Sequence, residues 1–244
     1  MRCQSSENIP FFGYLAKFRW SCTVAIGSLK MRRKIVLGRL ASLANTKQRR
    51  NTGMKHYNVR DRLIEATIKV IAMEGLDKAT TKVIAKEAGL YETYIYQYFS
   101  GKESLLSETF DKLDGELAVS ALRATKVFDD PAMDIDRQSV AYFNSVWNFL
   151  LSNREKCITY MRYYYSPYFS KYSADAHVAR YADLTERFSR NFKDDANTWM
   201  LLNHMFGTTM IFALRVINGE LEDNEDTRVN VFHIINAAIS TYFK

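Results

Sequence analysis

Residues 80–99 read TTKVIAKEAGLYETYIYQYF, and this stretch decides the fold. Thr80 and Thr81 are N-cap residue types, whose hydroxyls satisfy the free N–H groups that open a helix. Ile84, Ala85 and Ala88 then make a small apolar face at helical spacing. Gly89 ends that helix after about two turns, as a C′ glycine does. A second short helix follows at once in YETYIYQYF. Two short helices around a glycine-containing turn form a helix-turn-helix pattern. Ile84, Ala88, Leu90, Ile95 and Phe99 are its expected core.

Upstream, residues 58–74 (NVRDRLIEATIKVIAME) place Leu63, Ala66 and Val70 beside Ile64, Ile68 and Ile71 on adjoining helical faces. Arg60, Arg62, Glu65, Lys69 and Glu74 lie largely outside that stripe, and Gly75 suits a left-handed stop. Downstream, Ser100-Gly101-Lys102-Glu103 has the Ser-x-x-Glu form of a capping box opening a fourth helix.

Residues 63–106, LIEATIKVIAMEGLDKATTKVIAKEAGLYETYIYQYFSGKESLL, resemble the headpiece of the TetR family of transcriptional regulators. The resemblance rests on Gly75-Leu76, Thr80-Thr81, Ile84-Ala85, Ala88-Gly89-Leu90, Ile95-Tyr96, Tyr98-Phe99, Lys102-Glu103 and Leu105-Leu106. It covers roughly a fifth of the chain and leaves the remainder to be read from its own residues. The family usually has Ser, a variable residue, Gly or Pro, and Ser or Thr where this chain has Tyr91, Glu92, Thr93 and Tyr94. Its basic residue after the Phe is Ser100 here. These departures fall on residues that enter the DNA groove.

The resemblance implies an all-α protein with a three-helix, homeodomain-like headpiece and a helical ligand-binding and dimerisation domain. The implied domains are 55–117 for the headpiece and 118–244 for the remainder. It implies phosphate contacts from Thr81, Tyr96, Tyr98 and Lys102, which position a protein on DNA without reading it. Lys82, Glu92, Thr93, Tyr94 and Gln97 are its base-facing positions. A Gln amide pairs with adenine N6/N7, and a Glu accepts from cytosine N4; Glu92 also reads as a solvated charge. The expected function is that of a repressor released by a small-molecule effector. The alternative is a constitutive DNA-binding architectural protein or helper factor.

Beyond the headpiece, residues 103–126 continue as a helix, which Asp129-Asp130-Pro131 ends. Residues 135–152 form an apolar helix. Six tyrosines fall in residues 154–172, with a bend at Pro167. Residues 174–192 read as a more polar helix. The aromatic density of residues 142–172 reads either as a core or as a ligand cavity, since pockets are mainly apolar with a few placed polar groups. Trp147, Tyr163, Tyr164, Trp199 and His204 are the pocket candidates for an unidentified effector.

Residues 197–218 (NTWMLLNHMFGTTMIFALRVIN) are apolar on nearly every side, and such a helix needs burial all round. Asn203, His204 and Arg215 bracket its apolar part too closely for a bilayer span. Residues 226–243 carry a second broad stripe. Together the two predict a homodimer interface, and the resemblance implies a four-helix bundle between subunits. A dimer of such headpieces would bind a palindrome-like operator in double-stranded DNA.

The net charge of +7 on 244 residues is unevenly spread. Residues 1–53 hold eleven Lys/Arg against Glu7 alone, while residues 54–244 hold 23 Lys/Arg against 26 Asp/Glu. The basic signal therefore comes from the segment 1–54, read as a disordered extension or a mis-called start at Met54, or else as a basic arm. Cys3, Cys22 and Cys157 form no disulfide framework, which favours a reducing, cytoplasmic setting. His56, His177, His204 and His233 are too scattered to make a metal site. There is no P-loop, G-x-G-x-x-G, H-E-x-x-H or G-x-S-x-G, so no catalytic residue and no cofactor are expected.

Overall fold

The computed structural model describes residues 59–244. The expected basic extension over residues 1–54 and the start of the 55–117 domain lie outside the described residues. Within these the chain is all helical, with one isolated bridge between Phe192 and Phe243.

The headpiece is α1 (Val59–Glu74), α2 (Thr81–Glu87) and α3 (Thr93–Tyr98), followed by the long α4 (Lys102–Ala124). The α1 helix buries Leu63, Ile64, Ala66, Ile68, Val70 and Ile71, which is the stripe its periodicity predicts. Against it pack Ile84 and Ala85 of α2, Ile95 of α3, Phe99, and Leu105 and Leu106 of α4, all buried. Removing that apolar area from water is the main force holding three such short helices together.

Thr80 is the N-cap of α2 and accepts from the Val83 N–H at 3.3 Å. Gly89 takes φ +63°, a left-handed conformation that turns the chain between α2 and α3. Polar bonds brace the outside. The Arg62 guanidinium donates to the Ala88 carbonyl at 2.7 Å, satisfying the end of α2. Lys112 of α4 pairs with Glu65 at 2.6 Å.

The expected capping box at Ser100 does not form. Gly101 is the N-cap of α4, at φ +148°, and no side chain caps it. That glycine geometry moves the helix start one residue past the position at which Ser100 could serve it.

The body consists of α5 (Ile135–Ser152), α6 (Arg154–Tyr164), α7 (Pro167–Tyr172), α8 (Ala174–Arg180), α9 (Ala182–Ser189), α10 (Thr198–Ile217) and α11 (Glu225–Ile239). Pro167 sits in the first turn of α7, where its missing N–H costs nothing. The single polar helix expected over 174–192 is two helices, α8 and α9, parted at Tyr181. Tyr181 is itself buried and so turns the chain inward.

The α10 helix is long and apolar enough to cross a membrane by length and composition. Here it packs against α5, α6, α9 and α11 through Leu202, Thr209, Met210, Ala213 and Ile217. Burial all round is not achieved within one chain. Met200 is 66% exposed and Ile211 44%, and on α11 Val229 and Ile234 are exposed as well.

Candidate nucleic-acid interface and ligand cavity

The helix-turn-helix exposes a set of polar and aromatic side chains. Lys82, Glu92, Thr93, Tyr96, Gln97 and Tyr98 are exposed, while Thr81, Tyr94 and Lys102 are half-buried. All nine sequence-derived candidates thus lie at the surface formed by α2, α3 and the start of α4. Tyr96 is 62% exposed, with its neighbour Ile95 sealed in the core. The alternation follows from a six-residue helix lying flat on α1 and α2, so that only one face is covered.

No Lys or Arg occurs between Lys86 and Lys102. The α3 surface therefore offers hydroxyls, one amide and aromatic edges, and its cations sit at the flanks. Glu92 does not stand free: the Thr81 hydroxyl donates to its carboxylate, joining the first turn of α2 to the turn before α3. Two residues expected to contact different parts of DNA are here tied to one another.

A cavity of about 320 Å³ lies among α4, α6, α8, the α8–α9 junction at Tyr181, and α10. Its walls include Tyr160, Tyr164, Tyr165, Tyr181, Trp199 and Phe206, with His177 and Asn203 as polar members. Of the five pocket candidates, Tyr164 and Trp199 line it. Trp147, Tyr163 and His204 do not. The Trp147 ring is fully buried, with its indole N–H donating to Asp223 at 3.2 Å, so it anchors the α10–α11 connection to α5. Tyr163 stacks on Phe110 at 4.7 Å and its hydroxyl bonds Ser173 at 3.1 Å, which makes it core. His204 points its Nε2 into protein, where that atom is buried without a hydrogen-bond partner. A second cavity, of about 40 Å³, meets the first at Phe206 and has room for waters only.

Behind the larger cavity lies a polar cluster that sequence reasoning missed. Asp114 is fully buried on the apolar face of α4. Its carboxylate lies 3.0 and 3.1 Å from Nδ1 of His177, and it accepts from the Tyr160 hydroxyl at 3.3 Å and from the Arg180 guanidinium. Arg180 also reaches Asp111 at 3.3 Å. A buried carboxylate is tolerable only with such compensation. Burial, reinforced by Asp114, pushes the Tyr160 and Tyr181 phenols well above their ordinary range, so both remain protonated. The legible signal was Asp114 itself, an acid four residues after Phe110 and three before Leu117 in the apolar stripe of α4.

The cavity and the headpiece share α6. Tyr160, Met161 and Tyr164 face the cavity. From the same helix, Thr159 donates to the Ile68 carbonyl of α1 at 2.8 Å, and Arg162 donates to the carbonyls of Ile71 and Ala72. Among the described residues no cluster of His, Cys, Asp and Glu is suited to a metal ion.

Comparison with known proteins finds likenesses for the headpiece and for the fold. Residues 63–109 match the family described as bacterial regulatory proteins, tetR family. The HTH-type transcriptional regulator YvdT of Bacillus subtilis is 38% identical over 65 residues, covering 23% of this chain and 34% of that protein. The HTH-type transcriptional regulator BetI of Vibrio campbellii is 40% identical over 58 residues, covering 24% and 29%. The match thus spans about a third of these curated relatives. Among solved structures, a TetR family transcription regulator from Marinobacter aquaeolei superposes with a TM-score of 0.61 at 20% identity, over 74% of this chain and 94% of that one. FadR from Bacillus subtilis, in complex with stearoyl-CoA, gives 0.55 at 20% identity over 71% and 96%. At these identities the likeness is one of fold, and it extends through the helical body.

Proposed function

We propose that this chain, with its TetR-type headpiece on a TetR-type helical body, is a sequence-specific DNA-binding transcriptional regulator. In this reading it is a homodimeric repressor released by a small molecule and works in the cytoplasm. The observation that carries the proposal is the headpiece itself: a helix-turn-helix with a buried apolar core that leaves Lys82, Tyr96, Gln97 and Tyr98 exposed and Lys102 half-buried. Lys102 opens a 23-residue helix, whose N-terminal N–H groups and dipole favour a phosphate beside its ammonium. Thr93, Tyr94 and Gln97 supply the groups for reading base edges, and Tyr96 and Tyr98 those for phosphates.

The exposed apolar residues of α10 and α11 support a two-fold dimer, because a second copy of the same surface would cover both. The cavity supports the effector reading over the constitutive one, since about 320 Å³ lies within the usual range of ligand sites. One structural neighbour carries a bound acyl-CoA; in this chain the ligand-accepting region would be the cavity beside α6.

In this scheme α6 carries the coupling. A ligand that moves Tyr160 or Tyr164 moves the helix whose Thr159 and Arg162 hold α1. Release requires the ligand to favour the DNA-free arrangement, and DNA must weaken the ligand in return. The test of the DNA-binding premise is anisotropy of the full chain on a random-sequence duplex as salt rises from about 50 to about 200 mM. Binding that weakens steeply with salt supports the reading; no binding at the lowest salt overturns it.

A further inference from the structure

We infer that the cavity beside α6 selects an uncharged planar ring compound bearing a hydroxyl donor, a phenol in chemical class, and that His177 reads the hydroxyl. The inference rests on the effector reading above and adds the chemistry of the ligand.

The argument begins with charge. Asp114 is sealed from solvent, and the Arg180 guanidinium on its Oδ2 balances it. A carboxylate so held accepts hydrogen bonds, so Nδ1 of His177, close to both its oxygens, carries a proton. The rings of Phe110, Tyr164, Phe169, Tyr181 and Trp199 pack around the imidazole. In the Nδ1–H tautomer that the Asp114 contact selects, the other nitrogen, Nε2, presents a lone pair. His177 lines the cavity, and among the described residues no protein group hydrogen-bonds Nε2. The cavity therefore offers an acceptor whose tautomer and orientation are fixed from behind, the arrangement by which a carboxylate orients a functional imidazole.

The other walls define the ligand body. The rings of Tyr181 and Trp199 lie 4.8 and 5.8 Å from that of His177, the first tilted to it and the second edge-on, and Phe206 lies 6.0 Å from Tyr181. Such faces and edges favour a flat ring. A carboxylate ligand would place a bare negative charge among them, facing a lone pair. A cation would find the buried Asp114 carboxylate already satisfied by Arg180. The Asn203 amide at the wall donates to the Trp199 carbonyl at 2.8 Å.

The test is calorimetry of the full chain, without DNA, against 2-naphthol, its methyl ether 2-methoxynaphthalene, and 2-naphthoate. The naphthol is expected to bind about tenfold more tightly than the ether, which has the ring but no donor, and more tightly than the naphthoate. His177→Asn keeps a donor to Asp114 and removes the Nε2 acceptor, so it should bring naphthol and ether to equal affinity. Equal binding of naphthol and ether to the unaltered chain overturns the inference without recourse to any variant. So does tighter binding of the naphthoate, no binding of any of the three, or a naphthol preference that survives in the folded His177→Asn chain. If naphthol binds as expected yet leaves DNA affinity unchanged, the ligand assignment stands and the release mechanism falls.

Discussion

The Thr159 hydroxyl on α6 donates to the Ile68 carbonyl on α1 at 2.8 Å, and both groups are buried. One hydrogen bond thus ties a helix of the cavity wall to the first helix of the headpiece. It joins residues 91 apart in sequence, beside the bonds from Arg162 to the end of α1. Thr159→Val keeps the shape and removes the donor. It is expected to lower stability by about 0.5–1.5 kcal/mol and to reduce the change in operator affinity that a bound ligand produces. Urea denaturation and operator titration with and without ligand check the two effects. Coupling of unaltered size in the variant would remove this bond from the transmission path.

The proposed function makes positioning and reading separable in the headpiece. Lys102→Ala should weaken binding to all sequences alike and flatten the salt slope by roughly one unit. Gln97→Ala should cost about 1–3 kcal/mol and relax preference at one position per half-site, with the salt slope unchanged because no charge is removed. An operator library measured at two salt concentrations distinguishes them. A Lys102→Ala chain with altered sequence preference would show that these roles are misassigned.

The Thr81–Glu92 bond leads to a third expectation. Thr81→Val leaves the Glu92 carboxylate unheld next to DNA phosphates, so affinity should fall for every sequence. Glu92→Gln removes the repulsion and should raise low-salt affinity. Opposite signs for the two variants in anisotropy titrations are expected. A fall in both would indicate that Glu92 itself reads a base.

Cys157 is buried against Met210, and burial pushes its thiol up to about 12. The folded state should therefore resist alkylation at neutral pH. Because the unfolded thiol ionises first, near 9, this group contributes stability below that value. The contribution is lost as pH rises from 9 toward about 12. Mass spectrometry after iodoacetamide treatment checks the first point. Modification of Cys157 at pH 7 at the rate of an exposed thiol would contradict its placement.

The headpiece was legible because local signals agree there. The α1 stripe, the Thr80 cap and the Gly89 turn each report on neighbours a few residues away. Gly101 was misread because Ser100 offered an equally good local cap and only the backbone direction decides between them. The cavity was legible in composition and not in detail. Aromatic density pointed to residues 142–172, but Trp147 and Tyr163 from that stretch are core, while Tyr181 and Phe206 from outside it line the space. Which of many rings faces a void depends on how helices distant in sequence cross. The Asp114–His177–Arg180 cluster joins α4 to α8 across more than sixty residues. No spacing along the chain reports such a contact. Only the polarity of Asp114 within an apolar stripe hinted at it.

The proposed dimer with a sequence-reading headpiece is tested most directly by selection from a random double-stranded DNA library with the purified full chain. The expected result is one enriched motif with two-fold symmetry, its half-sites separated by about one helical turn or a multiple of it, roughly 34–36 Å per turn. It should be bound by two copies of the chain. Enrichment of no motif, or of an asymmetric site bound by one copy, would contradict it.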